Sequence, residues 1–183
     1  MATATKLVTY EEWLNMPELS DAIEEVVNGV IVTMPPPKAI HAYVVDSLGD
    51  MLKRHVDRAQ VRVLLTQFGL VIRKAPLAVR IPDLAMFRKS NVVEEDGYFH
   101  SAPELVEEVL SPSNNRRERE AKLRDYESLG VPEVWVLSPE ARTIEVLLLE
   151  DGKLRTVGML REGQLSPKHF PEAVVDIASV WPD

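Results

Sequence analysis

Residues 81–87 have the sequence IPDLAMF, and residues 104–110 have the sequence ELVEEVL. Both segments are rich in the apolar side chains that pack well in sheets, and turn residues flank them, so they predict two β-strands. Side chains alternate between the two faces of a strand, so Asp83 lies on a face whose other side chains are apolar. Glu107 and Glu108 lie on opposite faces of the second strand, and we expect one of them to point inward.

Two carboxylates on neighbouring buried strands indicate a bound cation. An ionised carboxylate on a buried face is strongly unfavourable unless a cation or hydrogen-bond donors compensate it. Asp83 and Glu108 offer hard oxygen ligands, which favour Mg²⁺ or Mn²⁺. Spacing alone leaves an alternative open, in which Asp83 caps the loop after Pro82 and Glu108 pairs with a nearby arginine.

The first forty residues predict a helix and a hairpin. Thr9 and Glu12 have the spacing of a capping box, which predicts a short helix that ends at Pro17. Its apolar stripe would consist of Trp13, Leu14 and Met16. The Asn28-Gly29 pair suits a tight two-residue loop, so residues 22–34 predict a β-hairpin.

The rest of the chain predicts a mixed central β-sheet flanked by helices, an α+β architecture. Apolar residues recur at steps of three and four after the prolines at 35–37, which predicts a second helix with a stripe of Ile40, Val44, Leu48, Met51, Leu52 and Val56. Strands are predicted at residues 61–65, 69–73 and 133–137, and a second hairpin at 143–159. A third helix is predicted from near Asn114 to Gly130, and residues 88–103 are predicted to be a polar connecting loop.

Glu25 is a third candidate acid. It lies between Ile23 and Val27 in the first hairpin, but Glu24 lies equally well between apolar neighbours, so alternation does not choose between them. Either glutamate is also explained as an edge-strand charge that discourages aggregation.

The predicted third helix carries the cations. Glu118, Lys122 and Tyr126 are spaced four apart and share a face, so Lys122 either reaches the acids or forms an ordinary exposed pair with Glu118. The same helix has a local excess of positive charge suited to phosphate contacts. The arginines at its start are Arg116, Arg117 and Arg119.

Composition sets the limits of this interpretation. The 183 residues predict a single domain over residues 1–183, and the net charge of −8 argues against indiscriminate coating of nucleic acid while allowing a local basic groove. The absence of cysteine excludes disulfides, thiolate zinc sites and cysteine nucleophiles. No signal-peptide core or membrane-spanning stretch is present, so we expect a cytoplasmic protein with no membrane partner.

Taken in order, the motifs resemble the Uma-type restriction-endonuclease family, a bacterial branch of the PD-(D/E)XK nuclease superfamily. The resemblance runs almost end to end. It rests on YEEWL at 10–14, EVVNG at 25–29, MPPP at 34–37 with His41, IPDL at 81–84, APELVEEVLSPS at 102–113, Lys122 with Tyr126, and GVPEVW at 130–135.

The resemblance implies a restriction-endonuclease-like fold and a Mg²⁺- or Mn²⁺-dependent endonuclease that acts on DNA, expected to be double-stranded. Asp83 matches the metal-binding acid of the Pro-Asp motif, and Glu108 matches the acid of the second motif. Together with the backbone carbonyl of Val109 they would hold the metal. Glu25 matches the family's N-terminal acid, and Lys122 takes the place of the catalytic lysine.

Some positions depart from the family pattern. The superfamily's usual lysine position, two residues after Glu108, is Leu110, while Asn28 and Ser138 stand where aspartate is usual. These departures leave room for a competing hypothesis, a catalytically inactive nucleic-acid-binding or protein-interaction domain on the same fold. A homodimer would suit cleavage of both strands of a duplex.

Overall fold

The computed structural model describes residues 7–17, 22–65, 68–111 and 116–182. Its α-helices are α1 (Tyr10–Leu14), α2 (Ala39–His55) and α3 (Arg116–Leu129). Its strands are β1 (Ile23–Val27), β2 (Val30–Met34), β3 (Val61–Leu65), β4 (Leu70–Lys74), β5 (Leu77–Arg80), β6 (Leu84–Arg88), β7 (Glu94–Glu95), β8 (Tyr98–Phe99), β9 (Leu105–Val109), β10 (Glu133–Ser138), β11 (Thr143–Glu150), β12 (Lys153–Leu160), β13 (Gln164–Leu165) and β14 (Val175–Asp176).

Within the described residues, the strands form two six-stranded sheets and one small two-stranded sheet. The first sheet has the order β2-β1-β5-β4-β8-β7, and the second has the order β12-β11-β10-β9-β6-β3. Both sheets are mixed, because β4 and β8 run parallel in the first and β9 and β10 run parallel in the second. The predicted α+β class is therefore confirmed, with two mixed sheets where the sequence predicted one central sheet.

Both faces of the second sheet are covered. Leu105 and Val109 of β9 belong to the same apolar cluster as Leu48 of α2. Val106, which points to the other face, packs in a cluster with Tyr126 of α3. A strand buried on both faces has no solvent side for its polar residues, and this decides the surroundings of the acids on β9.

The buried stripe of α2 differs from the predicted one at its first turn. Leu48 and Leu52 are fully buried as predicted, whereas Ile40 is 43% exposed. His41 takes the place expected for Ile40, because positions 41, 45, 48 and 52 follow the three- and four-residue steps of one helix face. No helix in the described ranges is long and apolar enough to cross a membrane.

The predicted tight turns are confirmed. Asn28 and Gly29 have φ angles of 52° and 79°, the positive values that an Asn-Gly hairpin loop requires. Asp151 and Gly152 have φ angles of 50° and 72° and join β11 to β12 in the same way. The capping box of α1 is also confirmed, although the helix ends at Leu14.

Other boundaries differ from the predictions. Met16 lies beyond α1 and is exposed, so it does not extend the apolar stripe of that helix. The four-residue strand β5 was not predicted, and the segment at 88–103 contains the short hairpin of β7 and β8 rather than a plain loop. The predicted start of the third helix near Asn114 lies outside the described residues.

The difference between Leu48 and Ile40 is directly testable. We expect Leu48→Ala to lower the free energy of unfolding by about 2–5 kcal/mol, because it leaves a cavity in the core between α2 and the second sheet. Ile40→Ala on the same helix should lower it by less than about 1 kcal/mol, since that side chain is largely in solvent. Urea denaturation measures both values, and equal losses would contradict the observed face of α2.

Candidate active site

The predicted acids face one cleft of about 480 Å³. Its walls are the end of β2 with the prolines at 35–37, the first turn of α2, the entry to β6, the end of β9, and α3. The structure thus brings together the four predicted catalytic residues and adds a histidine. The side chains in question are Glu25, His41, Asp83, Glu108 and Lys122.

Asp83 stands at the entry to a strand rather than within it. The strand predicted over residues 81–87 begins at Leu84, because the proline before Asp83 has no N–H group to contribute to a sheet. Leu84 pairs with Glu107 of the antiparallel strand β9. Continuing that register by one residue places Asp83 level with Glu108, at the end of the sheet where the cleft opens.

One carboxylate oxygen of Asp83 contacts two other elements. Oδ2 accepts a hydrogen bond from the backbone N–H of Val109 at 2.7 Å and lies 3.1 Å from Nε2 of His41. These partners are on β9 and α2, so Asp83 does not serve as a cap for the loop after the proline. Burial lowers the pKa of His41, but the hydrogen bond and charge of Asp83 outweigh burial and raise that pKa above its ordinary value.

Glu108 is held by two side chains from α3. Its Oε2 lies 2.8 Å from Nζ of Lys122, and its Oε1 accepts a hydrogen bond from the hydroxyl of Tyr126. Its partner is thus a lysine, not the arginine of the alternative explanation. Burial, together with the charges of Asp83 and Glu25, raises the pKa of Glu108 to about 7, although Lys122 acts in the opposite direction.

Glu25 is the inward-facing acid of the first hairpin. It is 2% exposed, and β1 lies between β2 and β5, so the edge-strand explanation of its charge is wrong. Its Oε1 lies 3.2 Å from Nζ of Lys122 and accepts from the N–H of Ile81 at 3.1 Å, while Oε2 lies 2.7 Å from Arg80. Lys122 therefore bridges two carboxylates from different sheets.

Lys122 is buried and does not form the exposed helix pair that spacing also allowed. Burial lowers the pKa of its ammonium group, but the charges of Glu108 and Glu25 outweigh burial and hold that pKa above its ordinary value. Lys122 is therefore a permanent positive charge at the base of the cleft.

Arg80 and Asp125 complete the charged network and were not predicted. The Arg80 guanidinium is 2% exposed and contacts Glu25 at 2.7 Å and Asp125 at 2.7–2.8 Å. Arg73 reaches the other oxygen of Asp125 at 2.7 Å. Arg80 ends the short apolar run of β5, and that run was the one sequence signal that pointed to this residue.

Glu107 is buried on the opposite face of β9 from Glu108. It is 1% exposed, and neither carboxylate oxygen has a hydrogen-bond partner in the described part of the chain. Burial, reinforced by the charges of Glu133 and Asp83, raises the pKa of Glu107 well above its ordinary value. Both glutamates, rather than one of the two, therefore point to a covered face of the sheet, because helices cover both faces.

The three predicted arginines lie at the start of α3 and differ in exposure. Arg119 forms an ion pair with Glu145 of β11, and Arg116 is 2.7 Å from Glu120 while its side chain is 90% exposed. Arg117 is exposed. Arg116 and Arg119 line a second cleft of about 710 Å³, which shares Lys38 and His41 with the acidic cleft.

The donors that face the acidic cleft suit a hard divalent cation. Among the described residues, no three histidine, aspartate or glutamate side chains are already grouped as a metal site. However, the charge of Asp83 raises the pKa of Glu108, so the two carboxylates repel each other, and a cation between them would relieve this repulsion. The N–H and C=O groups of a strand residue point to the same edge, which directs the carbonyl of Val109 toward Asp83.

The fold is that of a restriction-endonuclease-like protein. It matches a solved structure described as "a putative nuclease belonging to DUF820" from Anabaena variabilis ATCC 29413, with a TM-score of 0.77 over 95% of this chain and 97% of that chain. The sequence identity is 19%, so this likeness shows the fold.

The sequence model of the Uma2 family, described as "Putative restriction endonuclease", matches residues 9–178. The chain therefore belongs to the Uma2 family, which confirms the resemblance drawn from the motifs. Membership of this family supports a nuclease function. No curated protein matched the chain.

The buried acid Glu107 gives a stability prediction with a defined sign. Its raised pKa means that the folded state holds the proton more tightly, so its contribution to stability is complete below the unfolded pKa of about 4.3 and is lost as pH rises through the folded pKa. The side chain in Glu107→Gln does not ionise, so the variant does not lose this stability as the pH rises. We expect its stability advantage over the parent to grow from pH 5 to pH 8 by about 1–3 kcal/mol.

Urea denaturation at the two pH values measures this change. Glu94→Gln, at an exposed position on β7, is the matched control and should show no such growth. A Glu107→Gln protein whose advantage is the same at both pH values would contradict the assignment of Glu107 as a buried, unpaired acid.

Proposed function

We propose that this protein is a metal-dependent endonuclease that hydrolyses phosphodiester bonds in double-stranded DNA. The observation that supports this best is the meeting of Asp83 and Glu108 at the open end of two paired strands, with Lys122 in contact with Glu108. Family membership supports the reaction class. The predicted homodimer, which would place two clefts on one duplex, stays a prediction.

In this proposal Asp83, Glu108 and the carbonyl of Val109 hold Mg²⁺ or Mn²⁺. When bound, the ion supplies positive charge to the scissile phosphate and activates the attacking water. Glu108 lies on β9 and Asp83 directly precedes β6, so the separation of the two carboxylates is set by the β6–β9 pairing. Their placement at a strand end leaves the open side of the cleft to the substrate.

Lys122 is proposed to stabilise the negative charge that develops on the phosphate. Its ammonium is fixed by Glu108 at 2.8 Å and Glu25 at 3.2 Å, so it is oriented before substrate arrives, which is the condition for effective electrostatic stabilisation. Both oxygens of Glu25 are already engaged, one by Arg80 and the other by Lys122 and a backbone N–H. Glu25 therefore acts by positioning Lys122.

The second cleft is proposed to guide the DNA backbone. It continues from His41 and Lys38 to Arg116 and Arg119, where cationic side chains are available to phosphates. Arg117 is exposed on the same helix outside the lining of this cleft, and we propose that it extends the basic surface. A local basic patch of this kind reconciles DNA binding with the net charge of −8.

The acidic residues are tested by cleavage of plasmid DNA with Mg²⁺, with Mn²⁺ or with EDTA. We expect cleavage by the parent to require the metal, and Asp83→Asn and Glu108→Gln to reduce it by about 100-fold or more, because each removes charge at the reacting centre. Glu24→Gln, at the neighbouring position of Glu25 on β1, is the matched control and should cleave like the parent. Circular dichroism verifies that each variant is folded.

Two results would argue against the nuclease assignment. Cleavage by Asp83→Asn equal to that of the parent would contradict the proposed site. A parent that binds DNA but cleaves none with either metal would favour the competing hypothesis, an inactive nucleic-acid-binding domain.

The basic surface has a separate signature in the salt dependence of binding. We expect Arg117→Ala to weaken DNA binding for all sequences alike and to reduce the slope of log affinity against log salt by about 0.9, the value for one phosphate contact. Arg62→Ala, at an exposed position on β3 at the far edge of the second sheet, should leave the slope unchanged. Fluorescence anisotropy over a salt series distinguishes the two, and equal slopes in both variants would contradict the assigned path.

A further inference from the structure

His41 lines the acidic cleft, and the proposed function assigns it no role in the reaction itself. Its Nε2 lies 3.1 Å from Oδ2 of Asp83, the same oxygen that accepts the Val109 N–H at 2.7 Å. Two donors from two different elements thus converge on one oxygen of the acid proposed to bind the metal.

The chemistry of this contact assigns the proton. An ionised carboxylate only accepts hydrogen bonds, so the ring nitrogen at 3.1 Å from Asp83 is the donor, Nε2–H. Two donors on Oδ2 restrict rotation of the carboxylate about its bond to Cβ. The other oxygen, Oδ1, is then the one available to a cation, and Nε2 of His41 is already occupied as a donor.

The local sequence explains how the ring is held there. The prolines at 35–37 keep the backbone extended, so α2 begins only at Ala39, with Lys38 as its N-cap residue. The N–H of His41 bonds the carbonyl of Lys38 at 3.0 Å, which fixes the first turn. His41 also lies on the same helix face as Val45 and Leu48, which belong to the apolar core between α2 and the second sheet.

We propose that His41 is a positioning residue that, together with the N–H of Val109, locks one oxygen of Asp83 and presents the other to the metal. This inference rests on the proposed function. Donors that orient a ligating carboxylate typically contribute 10–100-fold to metal affinity. His41 acts through Asp83 and is not itself a ligand in this arrangement.

The test measures metal binding directly and needs no nuclease activity. Dissociation constants for Mg²⁺ and Mn²⁺ are determined by calorimetry for the parent, His41→Ala and His41→Gln, with Tyr43→Ala, at an exposed position two residues along α2, as control. We expect His41→Ala to weaken both ions by the same factor, about 10–100-fold. His41→Gln retains an N–H donor and should recover most of the loss, while Tyr43→Ala should bind like the parent.

The other outcomes separate the two proposals. A much larger loss for Mn²⁺ than for Mg²⁺ would identify His41 as a direct ligand, because imidazole favours Mn²⁺ over Mg²⁺, and would overturn the positioning role. Equal losses in His41→Ala and His41→Gln, or no loss in either, would also overturn it while leaving the nuclease proposal intact. A parent that binds neither ion would overturn both.

Discussion

The ammonium group of Lys122 lies between the carboxylates of Glu108 and Glu25, and the arrangement of both sheets depends on this contact. Glu108 comes from β9 of the second sheet, Glu25 from β1 of the first, and Lys122 from α3. Buried charges are tolerated only when they are paired, so each member of this cluster requires the others. Only one relative arrangement of β9, β1 and α3 therefore pairs all three charges.

The network extends the same constraint away from the cleft. Arg80 joins Glu25 to Asp125, which brings β5, β1 and α3 into contact through ion pairs that exclude most solvent. Removal of the Arg80 side chain would leave the buried carboxylates of Glu25 and Asp125 without the cation that they share. Replacement of both acids by neutral residues would leave no such unpaired carboxylates. The charges at the base of the cleft are thus part of the packing as well as of the proposed chemistry.

Local signals in the sequence predicted much of this structure. The Asn28-Gly29 turn and the capping box at Thr9 depend on neighbouring residues alone, and both are present as predicted. Asp83 was singled out as a carboxylate on an apolar strand face, which needs a partner, whereas the choice of Glu108 over Glu107 came from the family resemblance. Lys122 followed from its helical spacing and from the family resemblance.

The remaining features depend on contacts between distant segments. Arg80 was missed because β5 has only four residues and is stabilised by pairing with β1 and β4, which no local pattern reveals. His41 was not assigned a role because the apolar pattern of α2 fits equally well when the stripe begins at Ile40. Glu107 is buried because helices cover both faces of the second sheet. The alternation of side chains along β9 does not reveal that second covered face.

The proposed function requires that Asp83 and Glu108 form one metal site at the strand ends. The most direct test is a crystal structure of the protein soaked in Mn²⁺, with the ion located by its anomalous scattering. We expect an ion between the carboxylates of Asp83 and Glu108, with the Val109 carbonyl as a further ligand. An ion bound elsewhere, or no ion in this cleft at saturating Mn²⁺, would contradict it.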